Sequence, residues 1–181
     1  MPLKNGLRNY LVLLLATGLV LISMALWLNL KNKENLNKMP ELYDPTIQRP
    51  EEQNQARMLA RVLFSETKDV EDAKNIASVI VNRTKRPERF GATIQDVVYA
   101  PKQFSGVYGN EWNKALNQKF TDKEAEIYKQ LLQVAYQAVT GKLEDKTGGA
   151  DHYFNPKIVK PKWSAKMTKT TENKNHSYYK E

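Results

Sequence analysis

Glu66 is the residue whose position best matches a chemical task. It closes the run Gln55-Ala56-Arg57-Met58-Leu59-Ala60-Arg61-Val62-Leu63-Phe64-Ser65-Glu66, seven positions after Leu59, four after Val62 and three after Leu63. That spacing puts it on the apolar stripe of a helix. A carboxyl group among apolar side chains has its charged form disfavoured and its pKa pushed upward, as a general acid working near neutral pH requires. A structural glutamate paired with a nearby arginine satisfies the same spacing, so the pattern alone leaves both roles open.

The other acids are easier to place. Asp69, Glu71 and Asp72 stand where a second helix should begin, and capping accounts for them; Asp96 has the same explanation. Asp151 is the only acid in an aromatic, Gly-rich loop. His152 and His176 lie 24 residues apart and match no familiar zinc spacing, so no metal or other cofactor is expected. A Ser105, His152 and Asp151 triad is disfavoured, because adjacent side chains such as 151 and 152 rarely point at each other and no nucleophile-elbow pattern surrounds Ser105.

These groups need elements to hold them. The Glu66 helix is followed by a second one from about Asp69–Asp72, with Ala73, Ile76, Ala77 and Ile80 on one face, ending around Asn82-Arg83 before Pro87. Two buried stripes in succession imply a helical hairpin. Thr93 and Asp96 form a capping-box pattern for a short helix over Ile94 to Tyr99, which stops before Pro101, and Glu111 to Leu116 reads as another. The clearest helix runs over residues 122–140: Thr121 and Glu124 cap it and Gly141 ends it. Its expected buried stripe is Ala125, Tyr128, Leu131, Leu132, Ala135, Ala138 and Val139. Residues 147–181, rich in Gly, Pro, Asn and aromatics, have no helical period and read as loops and short strands.

The N-terminal part is of another kind. Tyr10 to Leu30 holds no charge over 21 residues, follows Lys4 and Arg8, and is long enough to span a bilayer. Ser23-Met24-Ala25 resembles a signal-peptide cleavage site, but apolar residues continue to Leu30, which favours an uncleaved anchor. Basic residues flank both ends, so charge barely sets the orientation. Retention of a nine-residue tail in the cytoplasm places the C-terminal domain outside. Residues 31–53, polar and proline-bearing, read as a linker, and residues 54–181 as the single globular domain.

Of the 181 residues none is cysteine, so disulfides and thiolate metal sites are excluded. The net charge is +8, with +6 in residues 31–181, which suits an anionic partner such as a wall polymer or membrane surface. The lysines and arginines are interspersed with acids and form no reading motif, which argues against nucleic acid.

Several segments recur in one order: Leu59 to Glu66, Ile76-Ala77-Ser78-Val79-Ile80-Val81-Asn82-Arg83, Ile94-Gln95-Asp96-Val97-Val98, and Gln103-Phe104-Ser105-Gly106-Val107. Thr147-Gly148-Gly149-Ala150-Asp151-His152-Tyr153-Phe154-Asn155-Pro156, Trp163 and His176-Ser177-Tyr178-Tyr179 follow. Together they resemble the SleB-like cell-wall hydrolase family, over roughly residues 54–181. The resemblance implies a lysozyme-like or lytic-transglycosylase-like fold: α+β, mostly helical, with a small irregular or β part. It also implies cleavage of the glycan strands of peptidoglycan by one essential glutamate, which matches Glu66. The chain departs from the family pattern over Thr67-Lys68-Asp69-Val70-Glu71-Asp72-Ala73, where family members carry a small residue, a basic residue, Gly and Glu, then a further Gly.

No second carboxylate is convincingly placed across a scissile bond, as an inverting or double-displacement glycosidase would need. One acid suffices for lytic transglycosylation, the preferred expectation, with hydrolysis of muramidase or glucosaminidase type and non-catalytic peptidoglycan binding as alternatives. Gln103, Phe104, Ser105, His152, Tyr153 and Asn155 are the expected glycan contacts, with Phe104, Tyr153 and Trp163 able either to stack on sugars or to pack in the core. Arg83 is expected to anchor structure. The partners expected are peptidoglycan and, through one span, the membrane; no obligate protein partner is inferred.

Overall fold

The computed structural model describes residues 23–24 and 49–181. Apart from Ser23 and Met24, which are helical, the expected membrane span over 10–30 lies outside the described residues, as does the linker over 31–48. Among the described residues no helix is long and apolar enough to cross a membrane.

Helix α1 covers Pro50–Glu66, with proline in its first turn and Glu51 and Glu52 at its positive end. Residues 50–53, read from sequence as linker, therefore belong to the helix. Its buried face comprises Ala56, Met58, Leu59, Ala60, Val62, Leu63 and Phe64. The helix ends where Thr67 turns extended, and α2, Val70–Thr84, starts three residues later. Asp69 caps α2 by accepting from the backbone N–H groups of Glu71 and Asp72, and Thr67 Oγ1 accepts from the Asp69 N–H at 3.1 Å. Side-chain caps and extended backbone thus make the turn, and none of residues 67–69 has a positive φ.

A short helix α3 (Pro87–Phe90) leads to α4 (Ile94–Tyr99), whose Thr93–Asp96 capping box is fully formed. Helix α5 is Asn110–Leu116, and α6 is Asp122–Val139 with the Thr121–Glu124 box at its start and Gly141 at φ 70° just beyond its end. Helix α6 packs on both α1 and α2, so it is buried over a wider arc than one stripe. Val134 and Tyr136 are buried as well as the expected Tyr128, Leu131, Leu132, Ala135 and Ala138. Ala125 is a correction: it lies in the first turn and is exposed, and burial begins one turn later at Tyr128. Phe64, Leu59, Leu63, Ile76, Ile80, Leu131 and Leu132 fill the core between these three helices. Each contributes about 1.5–3 kcal/mol by leaving water.

The C-terminal part forms an antiparallel sheet in the order β1-β3-β2, from β1 (His152–Phe154), β2 (Thr168–Glu172) and β3 (Ser177–Lys180). Tyr153 faces Tyr178 across the β1–β3 pair. The sheet is fastened to α2 by polar side chains. Asn82 donates to Asp145 Oδ2 at 2.9 Å and to the Ala150 carbonyl at 3.1 Å, and Arg83 Nε donates to the Asp151 carbonyl at 2.7 Å. Gly148 and Gly149, at φ 68° and 81°, let the chain turn between those anchors where a side chain would be strained. The Asn-Arg pair therefore sets the height at which β1 leaves the helices, and so where Tyr153 arrives.

Candidate active site

Glu66 is the last residue of α1, partly buried, and forms no ion pair among the described residues. Its Oε2 accepts a hydrogen bond from the Tyr153 hydroxyl at 3.1 Å. Burial is the largest influence on the carboxyl and pushes its pKa up. The Tyr153 bond and the charges of His176 and Arg83 pull it back, while the Asp72 charge adds to the rise. The hydroxyl in turn is held neutral, because burial and the neighbouring Glu66 push its pKa far above the ordinary value. A neutral donor on Oε2 leaves Oε1 to carry the exchangeable proton.

The other side of the carboxyl is bounded by the 103–107 loop. A Cβ added to Gly106 would lie 2.8 Å from Ser65 Cβ and 3.6 Å from Glu66 Oε1, so only glycine lets this loop cross the helix end so closely. Gly106 stands inside the Gln103-to-Val107 segment, yet only this contact reveals its role. Gln103 and Ser105 are exposed on the same loop. Phe104 is buried, with the Arg83 guanidinium 5.6 Å above its ring, so of its two expected roles it takes packing.

Behind Glu66 lies a buried polar cluster that spacing did not reveal. Asp72 is a correction to the capping explanation: its side chain is buried and bonded to the sheet rather than to the helix start. Its Oδ1 accepts from Tyr178 Oη and Asn173 Nδ2, both at 2.7 Å, and His176 Nδ1 lies 3.0 Å from both carboxylate oxygens. Although burial raises its pKa, those bonds prevail and hold it down at about 2. The His176 ring also sets its edge against Tyr153 at 5.1 Å. Helical spacing marks Asp72 as a first-turn acid; only its alignment with Asn173, His176 and Tyr178, a hundred residues on, could have revealed the cluster.

His152 also departs from expectation. Its Nδ1 lies 2.7 Å from Asp151 Oδ1, so these adjacent side chains do meet, each anchored by further contacts. Arg86 Nη1 donates to Asp151 Oδ2 at 2.5 Å, and the His152 ring packs against Trp163 at 5.1 Å and Phe90 at 5.8 Å. Burial lowers the His152 pKa. Trp163 is partly buried and also meets the rings of Phe154 and Tyr179. Asn155 is partly buried, with Oδ1 accepting from the Lys157 N–H at 3.0 Å. Of the expected site residues, Tyr153 alone is hydrogen-bonded to Glu66 among the described residues.

A family model described as Cell Wall Hydrolase matches residues 67–179, more than half of the chain. The chain belongs to the cell wall hydrolase family. The matched stretch of this cell wall hydrolase begins one residue after Glu66, so the case for that residue rests on its geometry. No curated protein sequence matches the chain. Two solved structures share the fold. One is the catalytic domain of the germination-specific lytic transglycosylase SleB from Bacillus anthracis. It is 22% identical with a TM-score of 0.54, covering 70% of this chain and 94% of that one. The other is the catalytic domain of the Bacillus cereus SleB protein, 23% identical with a TM-score of 0.52, covering 71% of this chain and 91% of that one.

Proposed function

We propose that this cell wall hydrolase cleaves the glycan strands of peptidoglycan as a lytic transglycosylase, with Glu66 as its acid and base. Protonated Glu66 gives its proton to the glycosidic oxygen as the bond to the anomeric carbon breaks. The resulting carboxylate then takes the proton of the muramic C6 hydroxyl as that oxygen bonds to the anomeric carbon. One sugar leaves with a free hydroxyl, the other closes a 1,6-anhydro ring, and Glu66 is protonated again with no water consumed. Burial pushes the pKa of the acid up, which favours its protonated form, and the Tyr153 hydroxyl fixes its orientation.

The observation that carries this reading is the state of the neighbouring acids. A hydrolase of the inverting or double-displacement kind needs a second carboxylate free to act on water or sugar. Asp72 is enclosed by His176, Tyr178 and Asn173, and Asp151 by Arg86 and His152. Both are buried and committed, which favours chemistry needing one carboxyl. The B. anthracis relative, described as a lytic transglycosylase, points the same way. The uncharged 10–30 segment supports a single-pass anchor in the cytoplasmic membrane, with the catalytic domain on its outer side.

Purified peptidoglycan incubated with the protein should release soluble muropeptides, and Glu66→Gln, folded by circular dichroism, should release none. Release by Glu66→Gln at more than about one hundredth of the parent rate is incompatible with a role worth the usual hundredfold or more of acid–base catalysis.

A further inference from the structure

Tyr99 and Tyr108 have no part in the chemistry above, yet both stand among the exposed large hydrophobic side chains of the described residues. Tyr108 is 71% exposed and Tyr99 40%. Their rings are nearly parallel, at 14°, with centroids 6.0 Å apart. Trp112, which is buried, sets its edge against both, at 6.3 Å and 6.0 Å, and Asn113 Nδ2 donates to the Tyr108 carbonyl at 3.1 Å. The pair is thus braced from below.

The backbone at Tyr108 has φ 66°, the left-handed region that bulky side chains disfavour. The Gly109 N–H donates to the Gly106 carbonyl at 2.9 Å, so this conformation closes a tight turn, and the Tyr108 ring that the turn carries stands in water. The same loop carries Gly106 against Ser65 and Glu66, and two residues of chain span at most about 7 Å. The backbone of Tyr108 therefore lies within about 7 Å of the glycine that bounds the acid. An aromatic face edged by a phenol matches a pyranose, which presents C–H groups on its face and hydroxyls at its rim.

We propose that the Tyr99–Tyr108 pair is a saccharide-stacking subsite, holding a sugar of the glycan strand beyond those that meet Glu66. This rests on the peptidoglycan reading above. A protein partner could also use exposed tyrosines, but continuity with Gly106 and Glu66 favours the strand itself.

The test uses the full-length protein carrying Glu66→Gln in mild detergent, titrated calorimetrically with peptide-free oligosaccharides of peptidoglycan glycan. Adding Tyr108→Gly removes the ring and fits the left-handed backbone; it should weaken binding about fivefold to tenfold. Tyr108→Phe should stay within about twofold, since the face is retained. Unchanged affinity in Tyr108→Gly, or an equal loss in Tyr108→Phe, overturns the stacking subsite while leaving the catalytic reading intact. Absence of binding by Glu66→Gln itself overturns the glycan reading and the subsite with it. If Tyr108→Gly does not fold, Tyr99→Ala at the end of α4 carries the same expectation and the same refutation.

Discussion

Replacing Asp72 by asparagine should change how the protein responds to acid. In the folded state its carboxyl is held at about 2, against an ordinary 3.8, by Tyr178, Asn173 and His176. Because the folded value lies below the unfolded one, the unfolded chain takes up the proton first as pH falls. The stabilisation is therefore complete above pH about 4 and is lost as pH drops through about 2. The two values differ by nearly two powers of ten in the acid constant, so the whole effect is about 2.5 kcal/mol, of which about 1 kcal/mol has gone by pH 3. Asparagine has no such proton to gain, but it leaves the buried donors short of acceptors and costs about 3 kcal/mol at neutral pH. Urea denaturation followed by circular dichroism at pH 7, 4.5, 3.5 and 3 measures the gap between parent and variant. It should narrow by about 1 kcal/mol over that range. A gap that stays constant or widens toward acid would refute the buried, hydrogen-bonded Asp72.

The site makes further claims. Tyr153→Phe removes a bond that lowers the Glu66 pKa, so the alkaline limb of the kcat/KM profile, set by loss of the acid's proton, should move to higher pH; a shift to lower pH contradicts the bond. Glu66→Gln should raise the melting temperature at pH 7. The folded pKa of Glu66 lies above the unfolded one, so its contribution is full below about pH 4 and lost as pH rises through the folded value; the gain should vanish at low pH. Gly106→Ala places a carbon 2.8 Å from Ser65 Cβ and should cost about 1–3 kcal/mol in urea denaturation while reducing muropeptide release, because the loop must lift off Glu66. A variant with parental stability and activity would place the loop elsewhere.

Local signals and spatial ones were unequally legible in the sequence. Capping at Thr93 and Thr121, the helix stop at Gly141 and the position of Glu66 on α1 all follow from residues within a few positions of one another, and all occur. The exposed Ala125 shows the limit of a stripe drawn without knowing how far the partner helices reach. Asp72 shows the deeper limit. Near in sequence it has only helix-start partners, while its real ones come from the strand segment a hundred residues later. Adjacency in sequence argues against Asp151 and His152 as a pair, yet Arg86 and the packing of His152 on Trp163 bring them together. The type of Tyr153 suggests a sugar contact, whereas its bond to Glu66 depends on the register of β1 against β3 and the anchoring by Asn82 and Arg83.

The central claim, one carboxyl doing both proton transfers without water, is tested most directly by digesting peptidoglycan in heavy-oxygen water and weighing the products. The account predicts 1,6-anhydromuramic ends carrying no solvent oxygen, formed by the parent and absent with Glu66→Gln. Reducing ends labelled with the heavy isotope would mean that water is the nucleophile, and would contradict it.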